Sequence, residues 1–173
     1  PRSTLFPYTT LFRSLHAELV LLETARVRRG QATRELALEE MAEWMSSFGA
    51  IREESDLFDG SGLSRRTLVT PELVARLLAR MHASHGEAFR ATLPVAGEDG
   101  TLSGRFGGAP DAPAIRAKTG TISHVTALSG YAGDDPARRV AFSIISNHQT
   151  APASEVRKAV DTIALEILRR TTR

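Results

Sequence analysis

The sequence contains no cysteine, and its 173 residues include only two lysines and one asparagine. The absence of cysteine excludes disulfides, thiol nucleophiles and thiolate metal sites. No apolar run is long enough to cross a bilayer, so we expect no membrane span in this chain. The hydrophobic fraction of 42% and the charged fraction of 24% are those of an ordinary globular domain with a sizeable core.

The positive charges are not concentrated in any one part of the chain. The formal net charge is only +2, and adjacent arginines occur as scattered pairs rather than as a cluster. Scattered pairs predict a solvated surface instead of a nucleic-acid-binding stripe. We therefore expect no nucleic-acid partner. The pairs are Arg28 with Arg29, Arg65 with Arg66, Arg138 with Arg139, and Arg169 with Arg170.

The first fourteen residues, PRSTLFPYTTLFRS, resemble the in-frame translation of a sequencing-library adaptor. We expect residues 1–14 to be foreign to the fold and the natural sequence to begin near Leu15, within a domain. The alternative is a natural β-hairpin, because the segment contains strand-forming residues.

Helical spacing of apolar residues predicts two helices in the first third of the chain. The first presents Leu15, Leu19 and Leu22 on one face and ends at Gly30. The second is capped by Thr33. Its stripe has the spacing of a buried helix face rather than of a cofactor site, and comprises Ala37, Met41, Trp44, Met45 and Phe48.

Two further helices follow, and the first of them has a defined start. Thr70-Pro71-Glu72 combines a hydroxyl cap, a proline in the first turn and an acid, which together favour a helix N-terminus. Another helical turn is expected from Glu87 to Leu93, before Pro94. The last helix spans about Ala153 to Arg170. The expected buried faces are Leu73, Val74, Leu77, Leu78 and Met81 in the third helix, and Val156, Val160, Ile163 and Ile167 in the last.

Strand patterns dominate the C-terminal third of the chain. Three segments with short turns between them predict an antiparallel meander on which the last helix packs. A short strand is also expected at Ser55–Asp59, and a long Gly- and Pro-rich loop at Val95–Pro113. The three strand segments are Ala114–Ile122, Val125–Ala132 and Val140–Ser146.

The tripeptide Lys118-Thr119-Gly120 lies on the first of these strands and suits the recognition of a carboxylate. Lys118 supplies a compact positive charge, and Thr119 adds a hydroxyl donor. Gly120 has no side chain, so a substrate backbone can approach and pair with the strand edge. The amide of Thr121 could donate a hydrogen bond to an oxyanion.

Two other stretches extend the pattern: DGSGLSR at residues 59–65 and LPVAGEDGTL at residues 93–102. In this order with AKTGT, they resemble the D-Ala-D-Ala carboxypeptidase/endopeptidase group of serine penicillin-recognising enzymes, the penicillin-binding protein 4 type. The resemblance covers the chain from about Leu15 to its end. It implies an α/β class and a partial β-lactamase/transpeptidase-like fold, with an antiparallel sheet, a C-terminal helix packed on it and a helical region before it.

The resemblance implies a site and a location. Lys118, Thr119 and Gly120 would serve the catalytic centre, with Thr121, Asp59 and Ser61 as substrate-binding residues. The substrate would be a peptidoglycan peptide that ends in D-Ala-D-Ala, and β-lactams would inhibit the parent enzyme in the periplasm or another extracytoplasmic compartment. No metal or other cofactor is implied. For DGSGLSR, a glycine turn between strand and helix is the structural interpretation.

The nucleophile that such enzymes use is missing from this chain. Neither lysine has a serine three residues before it, so Ser-x-x-Lys does not occur; Ile115 and Glu155 stand at those positions. Ser-x-Asn is also absent, because Ile145 precedes the single asparagine, Asn147, by two residues. We therefore expect a C-terminal fragment of the parent enzyme that binds but does not cleave, with an uncovered core and poor solubility.

Other interpretations remain at this point. His82 and His85, with Glu87 nearby, could bind a metal, although a solvated helix end fits the spacing better. His124 follows the motif strand and could line a cleft. The whole chain could also be a noncatalytic binding or structural α/β domain. In the structural case, Lys-Thr-Gly would occur by chance and Lys118 would be buried against the helices.

Overall fold

The computed structural model describes the backbone of residues 6–171 and the side chains of residues 13–171. The chain divides into two units, residues 1–70 and residues 71–173, and each is described by itself. None of the helices in the described part of the chain has both the length and the apolar surface that a membrane span requires. The helices are α1 (Phe6–Arg29), α2 (Arg34–Ser46), α3 (Pro71–Arg90) and α4 (Ala153–Thr171); the strands are β1 (Ser55–Asp56), β2 (Leu68–Val69), β3 (Ile115–Ile122), β4 (Val125–Ala132) and β5 (Val140–Ser146).

In the first unit, α1 includes part of the segment that we expected to be foreign. Because the helix begins at Phe6, the alternative of a β-hairpin there is wrong. Residues 1–5 of the same prediction lie outside the described residues, and the foreign origin of residues 1–14 stays a prediction. Gly30 ends α1 as expected, with a φ of 78° that glycine adopts without strain.

The face that α1 turns toward α2 differs from the predicted one. Leu15 and Leu19 are each 52% exposed, whereas Leu21 and Ala25 are buried and pack with Ala37 of α2. Small side chains let two helices approach closely, and this contact decides which stripe is buried. The leucine spacing alone therefore predicted the wrong face.

The α2 helix begins where the Thr33 cap predicted, but its buried stripe includes a charge. Trp44 is exposed, contrary to prediction, and Glu40 is buried instead. The Glu40 carboxylate accepts hydrogen bonds from Arg28 and Arg29, so this arginine pair is part of an ion-pair network. A buried carboxylate is tolerated because both of its partners are cationic.

The second unit is built on the predicted antiparallel meander, in the order β3-β4-β5. The strand bounds agree with the prediction except that β3 begins at Ile115, one residue late. The sheet lies between α3 and α4. On the α3 side, the Tyr131 hydroxyl donates to the Leu78 carbonyl oxygen at 2.7 Å, and burial raises the pKa of Tyr131 to about 12.

The two helices of the second unit agree with the sequence in extent but not in every contact. The run of α3 is broken at Gly86, where φ is 50° and ψ is −130°, so the predicted extra turn at residues 87–93 is separate from the main helix. In α4, Ile163 is exposed, contrary to prediction, whereas Asp161 and Ala164 are buried. Arg105 pairs with Asp161 at 2.5 Å, and this pairing turns the polar residue inward.

The predicted loop at residues 95–113 is more ordered than its composition indicated. It contains three short 3₁₀ turns, Gly100–Leu102, Phe106–Gly108 and Ala112–Ala114. Leu102, Phe106 and Ala112 are buried in the core against β3 and α4. Burial of a leucine or phenylalanine side chain contributes about 1.5–3 kcal/mol, so the loop is part of the folded domain.

Candidate functional site

The outer edge of β3 is open where the Lys-Thr-Gly sequence lies. At the start of the strand, Pro94 accepts a hydrogen bond from the Ala117 amide at 3.0 Å, and the Ala96 amide donates to the Ile115 carbonyl at 3.0 Å. Past Ala117, no backbone hydrogen bond continues this edge pairing among the described residues. Because strand amides alternate in direction, the N–H groups of Thr119 and Thr121 point to the open edge.

Lys118 is exposed on this strand, which contradicts the expectation of a buried lysine under the chance-motif interpretation. Its Nζ donates to the carbonyl oxygen of Thr119, so the ammonium group lies over the outer edge. Directly across the sheet from Lys118 is Ser129, whose hydroxyl is 2.9 Å from that of Ser143. A positive charge beside an open strand edge is an arrangement that can bind the carboxylate of an extended peptide.

Two glycines lie at close contacts between β3 and β4, one in the motif and one opposite Ala117, the residue before the motif. A Cβ added at Gly120 would lie 3.3 Å from the Cβ of Ala127, which is tight for the neighbouring strand. A Cβ added at Gly130 would lie 2.1 Å from the Arg116 carbonyl oxygen and 2.6 Å from the Ala117 Cα. Gly130 therefore lets β4 lie close to β3 immediately before Lys118.

The LPVAGEDGTL segment, residues 93–102, lies beside β3. It forms the edge pairing of residues 94–96 and then turns, so that the Thr119 hydroxyl donates to the Thr101 hydroxyl at 2.9 Å. Thr101 was not among the site residues predicted from the sequence. Its position at the end of a Gly-rich motif was the available signal, but only the fold brings it to Thr119.

Asp59 and Ser61 lie in the turn between β1 and β2, in the first unit. The Asp59 carboxylate accepts hydrogen bonds from the Ser61 hydroxyl at 2.6 Å, the Leu63 amide at 2.9 Å and the Ser64 amide at 3.1 Å, and it is also bonded to Thr67. Partial burial acts to raise the pKa of Asp59, but these hydrogen bonds outweigh it and hold the pKa below its ordinary value.

Both side chains therefore organise the turn, as the structural interpretation of DGSGLSR expected, but the turn joins β1 to β2 and not a strand to a helix. The turn is also held from α1, because the Glu18 carboxylate accepts the Gly60 amide at 3.0 Å and the Ser61 amide at 2.9 Å. Direct contact of Asp59 or Ser61 with substrate stays a prediction.

The histidines do not form the alternative metal site. The His82 ring packs against the Tyr131 ring at 5.7 Å between centroids, while Glu87 pairs with Arg139. Across the described part of the chain, no group of three or more His, Asp or Glu side chains could hold a metal ion. His124 lies in the turn between β3 and β4, and its Nδ1 is 3.0 Å from the carbonyl oxygen of Gln149.

Comparison with known proteins agrees with this geometry. The model of the D-Ala-D-Ala carboxypeptidase 3 (S13) family matches residues 13–167, so the chain belongs to that family. It is 37% identical over 155 residues to a D-alanyl-D-alanine carboxypeptidase of Actinomadura sp., covering 86% of this chain and 29% of the relative. It is 34% identical over 117 residues to the carboxypeptidase DacB of Haemophilus influenzae, covering 65% and 24%.

Solved structures show the same fold. Penicillin-binding protein 4 of H. influenzae in complex with a β-lactam has a TM-score of 0.69 and 28% identity, covering 87% of this chain and 36% of that one. A predatory peptidoglycan endopeptidase of Bdellovibrio bacteriovorus has a TM-score of 0.58 at 16% identity, covering 75% and 36%, and supports the fold alone. The chain thus spans about a third of the length of these proteins. The predicted mixed helix and antiparallel-sheet fold of the penicillin-recognising type is confirmed.

Proposed function

We propose that this chain is the carboxylate-recognising part of a serine-type D-Ala-D-Ala carboxypeptidase or endopeptidase. The observation that carries the proposal is the exposed Lys118 over the open edge of β3, in a chain of the S13 family. Relatives that are carboxypeptidases by name support the reaction class. The substrate is a peptidoglycan peptide that ends in D-Ala-D-Ala, and peptidoglycan lies outside the cytoplasmic membrane, so the enzyme is extracytoplasmic.

Each residue of the motif has one task in this proposal. The Lys118 ammonium and the Thr119 hydroxyl bind the terminal carboxylate with charge-assisted hydrogen bonds. Gly120 leaves room for the peptide backbone, and the Thr121 amide, which points to the open edge, donates to the oxyanion. Asp59 and Ser61 hold the shape of their own turn, and no metal or organic cofactor takes part.

The covalent step needs groups that this sequence does not contain. In the proposed complete enzyme, a Ser-x-x-Lys serine forms an ester with the penultimate residue as the terminal D-Ala leaves with a proton, and water then hydrolyses that ester. Because Ser-x-x-Lys and Ser-x-Asn are absent here, the chain by itself binds the peptide without cleaving it. A β-lactam carries a similar carboxylate, and the H. influenzae relative forms a complex with a β-lactam, which supports β-lactams as ligands of the complete enzyme.

A second candidate function is that of a noncatalytic binding domain with the same fold. The absence of Ser-x-x-Lys from this sequence favours the noncatalytic candidate. In this candidate, β3 recognises the peptide carboxylate in the same way as in the carboxypeptidase. Both candidates therefore predict binding of the free carboxylate end of the peptide.

The test compares two probes that differ only at the carboxylate. N-acetyl-D-Ala-D-Ala should bind this chain at least about tenfold more tightly than its C-terminal amide, because a hydrogen bond to a charged group contributes about 1.5–3 kcal/mol. Lys118→Met should remove the difference. Lys158→Met replaces the other lysine, which is exposed on α4, and should keep it. Equal affinity of wild-type protein for the two probes, measured by isothermal titration calorimetry, would refute the proposal.

A further inference from the structure

The hydroxyl of Thr119 already has a hydrogen-bond partner in the fold. It donates to the hydroxyl of Thr101 at 2.9 Å, and these two residues are 18 positions apart in the sequence. A hydroxyl carries one hydrogen and can accept from other donors. The direction of this bond therefore decides whether Thr119 has a proton to give to a ligand.

The segment that carries Thr101 is firmly held on β3. The Asp99 carboxylate accepts the Val95 amide at 2.7 Å, and the Gly97 amide donates to the Leu102 carbonyl at 3.1 Å. Leu102, the residue next to Thr101, is completely buried in the core. The Thr101 side chain is thus supported on a closed turn while it remains exposed itself.

We propose that Thr101 is a positioning residue for carboxylate binding that acts through Thr119. The inference rests on the function proposed above. When a carboxylate arrives, the hydrogen bond reverses: Thr101 donates to the Thr119 oxygen, and Thr119 directs its own proton to the carboxylate. Chains of hydroxyl groups polarise each other in this way, so the Thr119 donor is both oriented and strengthened.

The consequence is that the hydroxyl of Thr101 matters, and not its methyl group. Thr101→Val keeps the shape of the side chain and removes the hydroxyl, and Thr101→Ala removes the hydroxyl in a second way. Each should weaken the binding of N-acetyl-D-Ala-D-Ala about fivefold, as expected for one lost hydrogen bond. Thr101→Ser should restore wild-type affinity. The control is Ser103→Ala, which removes a nearby hydroxyl that donates to the Gly100 carbonyl oxygen of its own turn.

Calorimetric titration of the full chain with this probe separates the outcomes. If Thr119→Val and both hydroxyl-free Thr101 variants lose affinity while Thr101→Ser and Ser103→Ala do not, the positioning role is supported. If Thr119→Val loses affinity but Thr101→Val and Thr101→Ala bind like wild type, the inference is wrong and the proposed function stands. Failure of Thr101→Ser to restore affinity also overturns it. Absence of wild-type binding defeats the proposed function and this inference with it.

Discussion

Replacement of Gly130 by alanine is the sharpest structural test of the motif strand. The added Cβ would lie 2.1 Å from the Arg116 carbonyl oxygen, 2.6 Å from the Ala117 Cα and 2.8 Å from the Ala117 Cβ. Two of these three atoms belong to the backbone of β3, so no side-chain rotation relieves the clash. Overpacking in a core costs about 1–3 kcal/mol, and we expect about 3 kcal/mol here because β3 and β4 must separate.

Urea denaturation followed by circular dichroism measures this loss. With a slope of about 2 kcal/mol per molar urea, 3 kcal/mol corresponds to a fall of about 1.5 M in the midpoint. Gly104→Ala is the matched control, because no atom lies within 4 Å of the position of its added Cβ. Gly130→Ala should also bind N-acetyl-D-Ala-D-Ala less tightly than wild type, because the displaced Ala117 directly precedes Lys118. An unchanged midpoint for Gly130→Ala would refute the close approach of the two strands.

Two further predictions concern charged groups. Asp161→Ala should destabilise the protein by about 3 kcal/mol, because it removes the buried partner of the Arg105 guanidinium, whose side chain is only 11% exposed. The control is Arg170→Ala, at a side chain that is 76% exposed, which should change stability by less than about 0.5 kcal/mol. Equal urea midpoints for these variants would contradict the prediction. The pKa of Asp59 in the folded protein lies below its ordinary value of 3.8, so its stabilisation of the turn is complete above that value and is lost as pH falls through the lower one. The protection of the Ser64 amide from hydrogen exchange, measured relative to the intrinsic rate at each pH, should fall in that acidic range. If acid leaves this protection unchanged, the Asp59 carboxylate does not hold the turn.

Local patterns in the sequence predicted the secondary structure of the second unit well. The three strands of the sheet contain strand-forming residues and are separated by short turns, which is a signal that neighbouring residues carry by themselves. The start of α3 was equally local, because a cap, a proline and an acid act within one turn. These predictions needed no knowledge of the rest of the chain.

Predictions of which face is buried failed where a distant partner decides the outcome. Ile163 of α4 was expected to lie in the core, but the ion pair of Asp161 with Arg105 places Asp161 inside and leaves Ile163 exposed. Glu40 is buried for the same reason, since two arginines of α1 neutralise it. Periodicity treats a charged residue as exposed, and it contains no information about a cation that lies far away in sequence.

For the candidate site, the sequence by itself determined the chemistry: a lysine, a hydroxyl and a glycine in consecutive positions on a strand, together with the absence of any Ser-x-x-Lys. Residue order is sufficient for this, because the three groups are neighbours along one chain. Only the tertiary structure decided that no described residue pairs with the edge of β3 after Ala117, that Gly130 of β4 lies against β3, and that Thr101 meets Thr119. These are contacts between segments that chain folding brings together, and packing in three dimensions sets them.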